Sequence, residues 1–457
     1  MRITSGNPVM RKESFAHKNR PVMISIAKSL SPTFEIPFPA VTICSEEKAV
    51  KSEIDFAKVL RNSENLTEEE SSKLKALLQV CDFRDRENLQ DALEVNQMEV
   101  DIVSTLEELA NPMDDLFERC RYGSFRFSDC KKLFSKVITD EGICYTFNML
   151  DRKDLFKDVY PHRVHGTGYE SGLYIELKKK KSNMNPGCKR GVRGFRLTLH
   201  TPIELPLMSK DFLYIPFQKL TSIAVNPHMI YSSKDVKDYD PSSRQCYFSN
   251  ERNLTFFKTY TKSGCALECL SKHVLSSCGC VKFSMPRDNL TQICDYSMLE
   301  CAYEAERNLT TRDLERKLLQ KQLKRALKHG EITKKDEGFK RLKKMESCNC
   351  LTTCTSLKYE PEISQTDFII SDDPEHEVTV INIYFKHAHY TRLKRYEVYA
   401  LSDFLSSTGG IFGLFLGCSV LSFIEIFYHI ITYCIRKVKR KTNEVNITPN
   451  IGDITRF

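Results

Sequence analysis

The chain switches repeatedly between two hydrophobic periods. IPFPAVTIC (36–44) has two prolines followed by alternating β-branched residues, which predicts entry into a sheet strand. Residues 46–119 turn charged, and within them LKALLQV and IVSTLEELA space their apolar positions as helices do. EGICYTFN (141–148), GLYIEL (172–177), GFRLTLH (194–200) and LTSIAV (220–225) predict further short strands, parted by basic, turn-prone loops such as KKKKSNMNPG (178–187). Between Cys301 and Cys348, TTRDLERKLLQKQLKRALKHG predicts an amphipathic helix. Leu314, Leu318, Leu319, Leu323 and Leu327 fall on one side of it, Thr310 and Asp313 form a candidate capping box, and Gly330 is a stop. SLKYEPEIS and VTVINIYFK then return to strand pattern, so the chain leaves a β-rich layer through helical excursions and comes back.

Residues 409–435, GGIFGLFLGCSVLSFIEIFYHIITYCI, are long and apolar enough to predict one membrane-spanning helix. Gly409, Gly413 and Gly417 recur every fourth residue and let neighbouring backbones approach closely. Glu425 is a carboxylate that lipid penalises unless it faces protein or water. Arg436, Lys437, Lys439, Arg440 and Lys441 follow at once, which predicts a cytoplasmic C-terminal tail and an extracytoplasmic region before Gly409. This basic run reads as a stop-transfer flank or as a contact for anionic membrane lipid. Residues 1–35 hold neither a signal-peptide core nor a second span, so a segment that crosses the membrane is expected upstream of Met1.

Cysteine usage sharpens the compartment. Of 18 cysteines, 16 lie before residue 355, most densely from Cys246 to Cys354, and sequons stand at Asn65, Asn253, Asn289 and Asn308. This predicts an oxidised, glycosylated ectodomain. Zinc binding is the competing reading, but the close pairs at 278–280 and 348–350 are C-x-C and no C-x2-C knuckle occurs. The net charge of +8 is modest for 457 residues and does not by itself argue for nucleic acid; the basic outer face of the 310–330 helix reads as an exposed ectodomain surface rather than an RNA site. No nucleophile elbow and no H-E-x-x-H pattern occurs, so neither an enzyme nor a cofactor or resident metal is expected. His387 and His389, one residue apart, are placed on one strand face, as polar filler or as a pH- or metal-responsive pair.

In this order, IPFPAVTIC, EGICYTFN, the cysteine block 246–354 and GGIFGLFLGCSVLSFIEI (409–426) resemble the degenerin and epithelial sodium channel family, and within it the insect pickpocket subunits. The resemblance runs from about Pro21 to Arg436. It implies an α+β membrane protein: a disulfide-rich extracellular domain with a β-sheet palm and β-ball, helical finger, thumb and knuckle, plus a C-terminal transmembrane helix. The first helix of the family, with its His-Gly motif, is not in this chain and would precede it. Domain bounds follow as a post-membrane remnant at 1–35, the extracellular domain at 36–398 with the thumb at 246–354, a pore-lining helix at 399–435 and a cytoplasmic tail at 436–457.

The implied function is a subunit of a trimeric, amiloride-sensitive, voltage-independent channel that carries Na+ across the plasma membrane, homo- or heteromeric, gated by a chemical or mechanical cue. The family pattern makes Gly417, Cys418 and Ser419 the selectivity filter, where carbonyls replace the ion's water shell. Ser406 falls on the degenerin site, Ser407 takes the place of an aspartate found in acid-sensing relatives, and Gly409 and Gly410 adjoin this gate. Gly413 and Glu425 belong to the pore helix, Glu425 attracting cations or bonding a neighbouring helix. The resemblance pairs Cys44 with Cys144, Cys120 with Cys130, Cys246 with Cys354, Cys265 with Cys350, Cys269 with Cys348, Cys278 with Cys301 and Cys280 with Cys294, and leaves Cys81 and Cys188 for each other. Acid-sensing members carry a tryptophan before the first thumb cysteine; Ser243 stands there, so gating through that ring is not expected. A truncated, non-conducting regulatory subunit and a single-pass receptor ectodomain are the alternative readings.

Overall fold

A computed structural model describes residues 22–59, 61, 66–82, 100–127, 129–150, 161–189, 191–329, 337–344, 348–368, 374–397, 401–417 and 420–445. The chain divides into two units, one comprising residues 24–234 and 240–395, the other residues 1–23, 235–239 and 396–457.

The larger unit is built on two sheets. Strands β1 (Val22–Pro32), β2 (Ala40–Ser45), β3 (Phe117–Tyr122), β4 (Phe125–Phe127), β5 (Phe134–Thr139), β6 (Gly142–Phe147), β7 (Leu173–Lys180), β8 (Phe195–His200), β9 (Leu213–Ile215) and β10 (Lys219–Ser232) precede the cysteine block. A short pair, β11 (Cys246–Tyr247) and β12 (Thr352–Thr353), closes that block, and β13 (Ser356–Asp367), β14 (His376–Phe385) and β15 (His389–Glu397) follow. One sheet runs β1-β15-β10-β14-β7-β3-β4 with β13 also on β10; the other is an antiparallel β5-β6-β2-β8-β9. The predicted strands at 141–148, 172–177, 194–200 and 220–225 correspond to β6, β7, β8 and the first half of β10.

The two sheets share one core, in which Val41, Phe147 and Leu197 meet Ile175, Ile223, Ile381 and Phe385. Phe38, fully buried between two prolines, is its plug, standing edge-on to Tyr122, Phe147 and Phe385 with ring centroids 5.4–6.1 Å apart. Tyr359 of β13 donates to the Pro37 carbonyl at 2.8 Å. The IPFPAVTIC motif thus fills the space between sheets before it becomes a strand.

β10 organises the rest. β13 pairs with it antiparallel along twelve residues, from Lys219 opposite Asp367 to Ile230 opposite Ser356. Its other edge is divided: β14 pairs parallel in the register Leu220 to Val380, and β15 in the register Met229 to Arg392. The offset grows from 160 to 163 residues, so three residues loop out between β14 and β15. This corrects the placement of the two histidines. His387 lies in that excursion and His389 opens β15, both exposed, so they do not share a strand face.

Helices α1 (Glu68–Leu77) and α2 (Ile102–Leu109) form a second core with Phe56, Phe283 and the Cys81–Cys188 bridge. A Thr67–Glu70 capping box starts α1 and the Asp101 carboxylate caps α2. In the cysteine block lie α3 (Lys262–Cys278), α4 (Leu299–Lys328) and α5 (Glu337–Lys344). α4 begins eleven residues before the expected cap, because Cys301 is bonded to the last residue of α3 and Ala302 and Ala305 bury against it. Thr310 is therefore interior, its hydroxyl donating to the Glu306 carbonyl at 2.9 Å. The leucine side also divides: Leu323 is buried, whereas Leu314 and Leu318 are exposed. Gly330 lies outside the described residues.

His200, at the end of β8, lies 2.8 Å from the Thr42 hydroxyl of β2, and its Nδ1 lies 3.0 Å from the Thr201 carbonyl. Burial pushes its imidazole down to about 4. A base whose folded value is depressed binds its proton more readily when unfolded, so the stability it supports is complete above about pH 6.5 and lost as pH falls towards 4. Denaturation midpoints measured across that window are expected to fall, and His200→Gln to flatten the decline.

Candidate pore segment and its extracellular scaffold

The smaller unit contains α6 (Leu401–Leu416) and α7 (Val420–Val445). The sequence predicts one continuous helix here; the structure breaks it at Gly417, whose φ of +62° is left-handed. A side chain in that conformation costs roughly 1–2 kcal/mol, which glycine avoids. Cys418 and Ser419, the other two residues of the expected filter, lie outside the described residues. Among the described residues no single helix is both long and apolar enough to cross a membrane. α6 is apolar but has 16 residues, and α7 has 26 but ends in RKVKRKTNEV.

On α6, Ser406, Gly409, Gly410 and Gly413 recur at intervals of three and four residues and so share one stripe. A methyl group at Gly409 or Gly410 would meet nothing within 4 Å. The remaining faces carry Leu405, Ile411, Leu414 and Phe415, all strongly exposed, and α7 adds Phe423, Ile424, Phe427, Ile430 and Ile431. Apolar surface on this scale needs lipid or neighbouring helices to cover it. Ser406, Ser407 and Glu425 are exposed. Asp403, also exposed, stands in the first turn of α6 three residues before Ser406, a carboxylate that the glycine pattern did not draw attention to. Just before α6, the Tyr239 hydroxyl donates to the Glu397 carboxylate at 3.0 Å. Burial, then the nearby Glu397 carboxylate, push this phenol up to about 12, so it remains a donor.

In the larger unit, sulfur bonds join Cys44–Cys144, Cys81–Cys188, Cys120–Cys130, Cys246–Cys354, Cys265–Cys350, Cys269–Cys348, Cys278–Cys301 and Cys280–Cys294. Seven of these coincide with the pairs that the family resemblance implies, and the eighth joins Cys81 and Cys188, the two cysteines it leaves over. Three of them tie α3 and β11 to the returning segment 348–354, closing the block like a ladder. The sequon residues Asn253, Asn289 and Asn308 are exposed, and Asn65 lies outside the described residues. Among the described residues no group of three metal-binding side chains occurs.

Sequence reasoning missed a buried ion cluster at the end of the second sheet. Arg196 reaches Glu46 and Glu141 at 2.6 Å each, while Lys48 and Lys189 reach Glu141 at 3.2 and 2.9 Å. Lys179 pairs with the buried Glu47 at 3.6 Å. Burial lowers the Lys48 ammonium to about 8 against the pull of Glu141, whereas the surrounding cations hold Glu141 below the usual carboxylate range despite burial. The partners come from residues 46–48, the β5–β6 turn, β7, Lys189 and β8, and no local pattern announces them. Nearby, a cavity of about 930 Å³ lies between that turn, α3 and the start of α4. Its charges are largely spent on each other, Lys282 on Glu306 and Arg307 on Glu300, both at 2.8 Å.

Residues 15–429 match the family model described as amiloride-sensitive sodium channel. The chain belongs to the amiloride-sensitive sodium channel family. Among similar proteins of Drosophila melanogaster, Pickpocket protein 28 is 25% identical over 93% of this chain and 72% of its own length. Pickpocket protein 11 is 24% identical, covering 90% of this chain and 65% of itself, and Sodium channel protein Nach is 23% identical over 90% and 77%. The chain therefore spans about two thirds to three quarters of the length of these relatives. The charges of the buried ion cluster are paired with one another, and the cluster reads as structural.

Removing the guanidinium should show this. Arg196→Ala leaves two buried carboxylates with less charge to face them, and a loss of about 3–5 kcal/mol is expected. The check is the denaturant midpoint of the purified protein; Arg196→Ala combined with Glu46→Gln should recover part of the loss.

Proposed function

We propose that this chain is a pore-forming subunit of a trimeric sodium channel of the plasma membrane, voltage-independent and blocked by amiloride, with its disulfide-bonded unit outside the cell and its C-terminus inside. The observation that carries this reading is the helix break at Gly417, within the apolar segment of a family member. A filter needs backbone carbonyls turned away from helical bonding and small side chains that let three chains meet. A left-handed glycine followed by Cys418 and Ser419 meets both needs in the sequence.

On this reading α6 and α7 together cross the bilayer, their apolar faces in lipid and the Ser406–Gly413 stripe towards the pore. Asp403 at the outer end and Glu425 beyond the break supply negative charge on the cation's route. The pore helix is the 399–435 segment, and residues 246–354 form the thumb, whose cross-links let it move as one body. The Tyr239–Glu397 hydrogen bond joins the chain entering the thumb to the chain entering α6 and is a point through which an outer stimulus reaches the gate.

Voltage clamp of cells expressing the protein, alone or with sister subunits, tests the proposal. Amiloride-blockable sodium current is expected, and Ser406→Val, which thickens the small stripe, should raise the current without stimulus several-fold. An unchanged resting current in Ser406→Val at normal surface abundance would contradict the placement of the gate.

A further inference from the structure

Residues 316–344 contain twelve Lys and Arg against three Asp and Glu, a surplus of nine in a chain whose total is +8. The rest of the protein is therefore close to neutral, and the net surplus lies on α4 from Arg316 onward and on α5, the first half of α4 being net acidic. Lys317, Lys321, Lys324 and Arg325 fall on the exposed side of α4, roughly opposite buried Leu323, and span about 12 Å of helix. Lys340 and Arg341 are exposed on α5. Lys317 pairs with Asp313 at 2.5 Å, but among the described residues no carboxylate pairs with Lys321, Lys324, Arg325, Lys340 or Arg341. α5 packs closely on α4, since a methyl group at Gly338 would lie 2.6 Å from the Leu323 side chain. The helix pair is thus a formed basic surface.

We propose that this surface binds a sulfated polysaccharide of the extracellular matrix. Cys301 and Cys348, which bracket it, are both disulfide-bonded, so it lies in an oxidising compartment, away from nucleic acid and from the anionic cytoplasmic leaflet. A file of cations every three or four residues along an exposed helix face suits a linear polymer with repeating anions rather than a single acidic side chain. The inference rests on the extracellular placement proposed above and not on conduction.

The test is binding of the full-length protein in detergent to immobilised heparin. Lys321→Glu with Lys324→Glu and Arg325→Glu should weaken binding by about tenfold or more, whereas the charge-matched Lys51→Glu, Lys132→Glu and Lys358→Glu should leave it close to wild type. Binding should also fall steeply with salt, as counterion release requires, and be lost on desulfated heparin. Equal retention by both triple variants, equal binding to desulfated heparin, or preference for phosphatidylserine vesicles or an acidic peptide would each overturn the proposal. Amiloride-blockable current in the α4 variant reports separately on the channel reading.

Discussion

Strand β10 is the constraint on which the larger unit turns. Fourteen residues long, it carries β13 on one edge and both β14 and β15 on the other. The chain passes from β10 into the cysteine block, returns from it along β13, and leaves β15 for α6. Entry to the block, exit from it and the lead into the apolar segment are thereby held in one hydrogen-bonded register. A one-residue slip would turn Ile223, Val225, Ile381 and Ile383 out of the shared core, which makes that register costly to change.

The disulfides complement this register rather than replace it. Cys44 and Cys144 cross-link β2 and β6, which the ladder already pairs from Val41 to Ile43. The α3–α4 block, by contrast, has a small core around Val274, Val281 and Ala302, and there the bridges compensate for limited apolar burial. Each is worth roughly 2–4 kcal/mol through the unfolded chain it restrains. The +9 segment grows out of this braced region, which explains how a helix with so little buried surface is tolerated at α4's outer end.

Much of the strand framework was legible because period-two runs were bounded by Pro, Gly and Asn, whereas the filter and gate residues are proposed from the family motifs alone. The remainder depended on tertiary contacts. The start of α4 is set by a bridge to α3, not by Thr310; the separation of His387 from His389 follows from β10 accepting two partners in different registers; and Arg196 finds carboxylates 150 and 55 residues away. The break at Gly417 was visible only as a glycine, since the hydropathy on either side argues for continuity.

The central claim is that Gly417, Cys418 and Ser419 choose the ion. Reversal potentials under bi-ionic sodium and potassium conditions address it most directly. If the claim holds, Ser419→Ala or Gly417→Ala shifts the reversal potential towards potassium permeation while current persists. A change in current size with an unmoved reversal potential in both variants would place selectivity elsewhere in the molecule.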